Sequence, residues 1–158
     1  MVKIDPRVKT PPAGLEEQFT LSKKLYDGAQ QLTPALDKAR LWREQLNHDM
    51  QGSAGDAIRA FDQKLNAVAG GGGGGRRFFG GGGEQSGPEP LNLVQFSLLG
   101  MMGQLQEADV TPTRALVAAA NDALTKIAPA MQRWQQFQTT EVPALNQQLK
   151  AAGLPELK

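Results

Sequence analysis

The stretch Gly70–Gly87 reads GGGGGGRRFFGGGGEQSG, and how it is read decides the fold. It holds eleven of the eighteen glycines in the chain. Glycine loses more backbone freedom on folding than any other residue and has no side chain to bury. The segment is therefore expected to be a flexible, low-complexity loop over residues 70–90, with helical sequence on either side.

Working outward, the sequence turns helical within one residue of the loop on its N-terminal side. Ala54, Ile58, Phe61, Leu65 and Val68 recur at helical spacing, and Ser53-Ala-Gly-Asp56 resembles a capping box, so a helix is predicted over 53–69. On the other side Leu91, Val94, Leu98, Met101 and Leu105 carry a helix over 92–108, with Asn92 and Gln95 as a capping pair. Gly100 and Gly103 each cost about 1 kcal/mol relative to alanine inside a helix. With Ser97 they form a small-residue face, where a neighbouring helix is expected to approach closely.

Two longer helices flank this pair. Leu25, Ala29, Leu32, Leu36, Ala39, Leu46 and Met50 make one apolar stripe over 14–51, broken at Arg43, with Gly52 as the stop. Thr111-Pro112 starts a last helix over 112–152, bearing Leu116, Ala120, Leu124, Ile127, Met131, Trp134, Leu145 and Leu149. Gly153 with Leu154 and Pro155 specifies a Schellman end, in which Leu154 contacts Leu149. Pro34 and Pro129 are expected to kink the two long helices together, unless Thr33-Pro34 caps a separate helix.

The order long, short, glycine loop, short, long predicts an all-α fold, an antiparallel up-down four-helix bundle over 13–158. Residues 1–12 are set apart. Val2-Lys-Ile-Asp-Pro-Arg-Val8 alternates like a strand, Pro6, Pro11 and Pro12 confine it to an edge, and it reads as an extended strand or linker from a preceding domain. With the first and last helices antiparallel and Met50 level with Pro112, the short helices would cover only one end. Phe19, Tyr26, Trp134 and Phe137 would then gather at the other end, packing against one another or docking a neighbour.

Composition narrows the function. The 158 residues carry a net charge of +1, with ten basic and nine acidic residues before Gly70 and seven of each after it. No region holds the basic excess of a nucleic-acid footprint. The absence of cysteine excludes disulfides, thiol catalysis and thiolate metal sites. The longest uncharged run, Pro90–Gln106, is too short to span a bilayer.

No catalytic, cofactor or metal site emerges. His48 is the single histidine and sits near a helix C-terminus, a position that favours a surface cation. Glu16 and Glu17 are adjacent and point about 100° apart, so they cannot face one another as a carboxylate pair. Glu107 and Asp109 fall in a turn with no basic neighbour. A P-loop needs a preceding strand and a Gly-Lys pair, and neither is present. Arg76, Arg77, Phe78 and Phe79 are the one tetrapeptide in the loop able to contact a partner. Such a mix resembles arginine–glycine RNA-binding segments, but one unit without repeats is read as a surface loop or as plugs against the bundle.

Two segments carry a family resemblance. One is Val2–Thr10 running directly into a long helix. The other is Asp109-Val-Thr-Pro-Thr113 with Trp134 and Pro143-Ala-Leu-Asn-Gln-Gln-Leu149, leading into Gly153-Leu-Pro155. Together they resemble the C-terminal region of large bacterial sortilin-type, Asp-box β-propeller proteins, often labelled glycosyl hydrolase or sialidase-like. The resemblance covers essentially the whole chain and contains no catalytic motif. It implies a periplasmic or secreted setting, with any hydrolase site in a propeller outside this chain, and it carries over no site residue. The expectation is a non-catalytic helical-bundle module, the C-terminal accessory or docking domain of a larger exported propeller protein. The alternative is a free-standing helical interaction or oligomerisation protein, joined through the aromatic end or through the third helix.

Overall fold

A computed structural model describes residues 10–47, 52, 54–71 and 88–158. The expected N-terminal strand, His48 and the Arg76–Phe79 tetrapeptide lie outside these residues. Five helices follow in order: α1 Pro12–Asn47, α2 Gly55–Ala69, α3 Leu91–Gln106, α4 Arg114–Thr125 and α5 Ile127–Ala151. The all-helical bundle expected from periodicity is present, but its helices are joined differently.

Contacts along α1 give the directions. Gln95 Nε2 of α3 donates to Ala29 C=O at 3.1 Å, while Gln18 of α1 donates to Leu105 C=O at the far end of α3. Those two helices are antiparallel. On α2, Lys64 pairs with Glu141 of α5 at 2.7 Å and Ala67 C=O accepts from Arg133, so α2 and α5 are antiparallel too. Moving up α1, Gly14 lies against Thr111, Gly28 against Leu124 and Ile127, and Trp42 against Trp134. The last two helices therefore run parallel to α1.

The bundle thus has three rods. One is α1, about 54 Å long at 1.5 Å per residue; the second is α2 followed by α3, about 46 Å; the third is α4 followed by α5, about 56 Å. This corrects the expected pairing of the first and last long helices as antiparallel neighbours, and the level Met50–Pro112 that went with it. The short helices do not share one end of the bundle. They descend end to end and cover both halves of α1.

Arginines pin the junction of the middle rod. Arg43, the break in the expected stripe, places Nε 3.1 Å from Asp62 Oδ1, and its Nη2 donates to Asn66 Oδ1 and Gly70 C=O, both at 2.8 Å. A cation is favoured at a helix C-terminus, and this one caps α2. Arg133 donates to Ala67 C=O at 3.0 Å and also to Pro88 C=O. The two ends of the glycine segment are thereby held together, and a Cβ on Gly70 (φ +90°) would overlap Asn92 of α3. The segment is an insertion at one point of a rod, where a crossover between hairpins was expected.

Local signals fare unevenly. The Schellman end forms as read: Gly153 takes φ +73°, Leu154 N–H donates to Leu149 C=O at 2.9 Å, and Gly153 N–H to Lys150 C=O at 3.1 Å. Thr113, two residues past the expected cap, accepts from Leu116 N–H and opens α4. Pro90 precedes α3 without a side-chain cap; Asn92 Oδ1 is buried with no partner and Gln95 reaches across to α1 instead. Ala54 precedes α2, likewise without a side-chain cap. Pro34 lies inside an unbroken α1, exposed together with Gln30, so the carbonyl it frees faces water. Pro129 acts more strongly. Its missing N–H and its ring deny Thr125 a helical partner, and the expected single helix 112–152 divides there into α4 and α5.

Candidate functional site

The aromatic residues expected at one end of the bundle are parted. Trp134 and Phe137 are buried, joined by Trp42 and Phe61 in one cluster between α1, α2 and α5. Trp42 stacks on Trp134 at 5.3 Å, Phe61 lies 5.1 Å from Phe137, and Lys38 Nζ sits 5.2 Å from the Trp42 ring centre. Each aromatic pair contributes about 0.5–1.5 kcal/mol beyond its burial. Trp134 and Phe137 are thus core residues. Trp42 went unread because the stripe steps from Ala39 to Trp42 to Leu46, one residue short of Arg43.

Phe19 and Tyr26 are 68% and 48% exposed. Successive helix residues turn by about 100°, which fixes what lies beside them. On α1 they occupy one flank of the row Gln18, Ala29 and Thr33 that faces α3; Gly14, which faces Thr111, and Gly28, which faces Leu124 of α4 and Ile127 of α5, occupy the other. On α3, Leu99, Gly103 and Phe96 occupy one flank of Gln95, with Val94 and Leu105 on the other. Because α1 and α3 are antiparallel, the first-named flanks lie on the same side of the pair, away from α4. Leu99 is 40% and Phe96 66% exposed there.

The surface so formed is a shallow face between α1 and α3 with apolar residues on both banks. Gly100 and Gly103 open it further, since a Cβ at either would meet nothing within 4 Å. The neighbouring helix expected at these glycines is not found among the described residues. All of α3 lacks charge, so its exposed side offers no ion to hold water. A solvated helix face ordinarily carries charged residues, and exposed large apolar residues that cluster mark interaction surfaces.

Other features are chemically quiet. Glu16, Glu17, Glu107 and Asp109 are all exposed. Among the described residues no group of three His, Asp or Glu side chains could hold a metal ion, and no helix is long and apolar enough to cross a membrane. An open cleft of about 120 Å³ lies between α2 and α5, lined by Ala57, Ala60, Phe61, Ala144 and the Lys64–Glu141 pair. Pockets for small-molecule ligands run to about 300–1,000 Å³ and bring several polar groups together.

The tail after α5 was not foreseen in the sequence. Leu157 is 4% exposed, as deeply buried as the leucines of the helices. Its signal is a lone leucine among Pro155, Glu156 and Lys158, too short for periodicity to register. Comparison of the chain with protein-family models, with curated proteins and with solved structures returns no match.

Proposed function

We propose that the chain is a non-catalytic helical-bundle module that docks a partner across the outer face of α1 and α3. The observation that carries this reading is the exposure of Phe19, Tyr26 and Leu99 on one side of an antiparallel helix pair whose second member has no charge. Burying three such side chains contributes about 1.5–3 kcal/mol each, enough to hold a tethered neighbour.

The partner that fits best is a β domain preceding α1 in a longer, exported propeller protein, as the sequence resemblance implies. Phe19 lies in the second turn of α1, about 10 Å along the helix from Pro12, so a preceding domain is delivered beside it by the chain itself. Covalent delivery raises the effective concentration into the millimolar range, and a modest face then suffices. The genomic frame immediately upstream of Met1 tests this. A continuous frame encoding a propeller agrees with it; a stop codon followed by a ribosome-binding site overturns it.

Self-association is the second reading, favoured by the uncharged surface of α3, on which two copies meet without like-charge repulsion. Sedimentation velocity across a wide concentration range, on the chain and on a Phe19→Ser/Tyr26→Ser variant, separates the two. A dimer present in the first and absent in the second supports self-association, and a monomer throughout excludes it.

A further inference from the structure

The chain reverses at Gly153 and runs back along α5 to the end of α1, where its main chain is gripped at three consecutive residues. Asn146 holds Leu157 at both backbone groups: Oδ1 accepts from Leu157 N–H at 2.8 Å, and Nδ2 donates to Leu157 C=O at 3.0 Å. This pair of hydrogen bonds fixes the orientation of the Asn146 amide, since the flipped form would set like groups against like. Trp42 Nε1–H donates to Lys158 C=O at 2.8 Å, and Gln45 Nε2 donates to Glu156 C=O at 3.3 Å.

Only one side chain of the gripped segment is used. Leu157 is buried, whereas Pro155, Glu156 and Lys158 are exposed. Main-chain hydrogen bonds with a pocket for a single side chain are how extended peptides are recognised: the backbone supplies affinity and the pocket supplies specificity. Core packing of a terminal segment would need the leucine and partners for its own buried backbone groups, which Asn146 supplies. It does not require Trp42 and Gln45 to bond the carbonyls of Lys158 and Glu156, exposed residues that water could serve.

We propose that Trp42, Gln45 and Asn146 form a peptide-binding site, occupied in cis by the chain's own Leu154–Lys158. The ligand class is an extended segment whose buried leucine, the counterpart of Leu157, stands between two polar residues, and the resident tail is both its model and its competitor. A ligand supplied in trans meets a site that is free only in the fraction of molecules whose tail has lifted, so its apparent affinity falls by that fraction. The site lies away from the α1/α3 face and does not depend on the docking reading above.

The probe is a labelled synthetic peptide with the sequence of residues 153–158, added to the full chain carrying Leu157→Asp, which unseats the tail. Fluorescence anisotropy is expected to show saturable binding at least about tenfold tighter than to the unaltered chain. Emission from Trp42 and Trp134, the two tryptophans of the chain, should shift in step with it. A peptide in which aspartate replaces the leucine corresponding to Leu157 should not bind, and adding Asn146→Ala to the altered chain should abolish binding. A helical Leu157→Asp chain that ignores the peptide, or binds both peptides alike, overturns the proposal. If that variant does not fold, hydrogen exchange on the unaltered chain decides. Excess peptide must speed exchange at the Leu157 amide, and an unchanged rate overturns the proposal.

Discussion

Each half of α1 carries a large aromatic residue, and the two meet opposite fates. In the C-terminal half Trp42 is 2% exposed; in the N-terminal half Phe19 is 68% exposed. Hydropathy does not separate them. The difference is which side of the helix each stands on and what covers that side. Around Trp42 stand α2, α5 and the returning tail, with Phe61, Phe137, Trp134 and Leu157 filling the space between. Among the described residues α3 and α4 are at hand around Phe19, and both lie on other sides of the helix. A helix of 36 residues, buried on one side along its whole length from Leu21 and Leu25 to Trp42 and Leu46, can thus enclose one aromatic and leave another at the surface.

The largest effect expected comes from setting the two halves against each other. Trp42→Ala removes the centre of the aromatic cluster and should cost about 3–5 kcal/mol of unfolding free energy. Phe19→Ala should stay within about 0.5 kcal/mol, as for most surface substitutions. Urea denaturation of both variants measures this, and a Phe19→Ala loss above about 2 kcal/mol would mean that this side of α1 is covered as well. Next in size are Gly100→Ala and Gly103→Ala, each expected to stabilise the isolated chain by about 1 kcal/mol, because helix propensity rises and nothing stands where the Cβ would go. If the α1/α3 face docks a partner, the same substitutions should weaken that association, a divergence that a purely structural face would not produce.

A smaller change tests the pinned junction. Halving the segment 72–87 should leave the fold intact and raise stability by about 0.6 kcal/mol, the closure entropy of one halving of loop length. A large loss would mean that the insertion contributes to the core. The smallest effect is electrostatic. Glu89, 2.8 Å away, raises the pKa of Lys126 above 10.5 by accepting its hydrogen bond, against the lowering by burial, and the charges of Glu89 and Asp122 add to the rise. A raised lysine pKa stabilises the fold below the ordinary lysine range, and that contribution is lost as pH rises through the folded value. The melting-temperature difference between the chain and Lys126→Gln should therefore shrink above pH 10.5. With 38% of the Lys126 side chain open to solvent, the difference is small at any pH.

Much of the fold was legible because helix signals are local. Stripe spacing located the helices to within a few residues, and Gly153-Leu-Pro155 specified its Schellman end. What periodicity cannot carry is the identity of the opposing face. A stripe records that a side is buried, and the same stripe on α2 suits a hairpin on α1 or a rod continued by α3. Arg133 at Ala67 and Pro88 decides between these, and nothing local to α5 announces that contact. The Trp42/Arg43 step was missed by one residue because a long arginine can occupy the edge of a stripe while a tryptophan fills its middle. For the candidate surface, Phe19 and Tyr26 stood out as aromatic, but their exposure depends on where α3 and α4 lie. Leu99 and Phe96 were hidden in a run apolar on every side, which reads as a buried helix until the missing neighbour is seen.

The pinned junction also makes this chain a frame for engineering. Gly71 and Pro88 lie on either side of one gap in the middle rod, so new termini could be opened there in a circular permutant. A foreign domain whose own ends lie close together could equally be grafted into the gap, with α2 and α3 still aligned by Arg43 and Arg133.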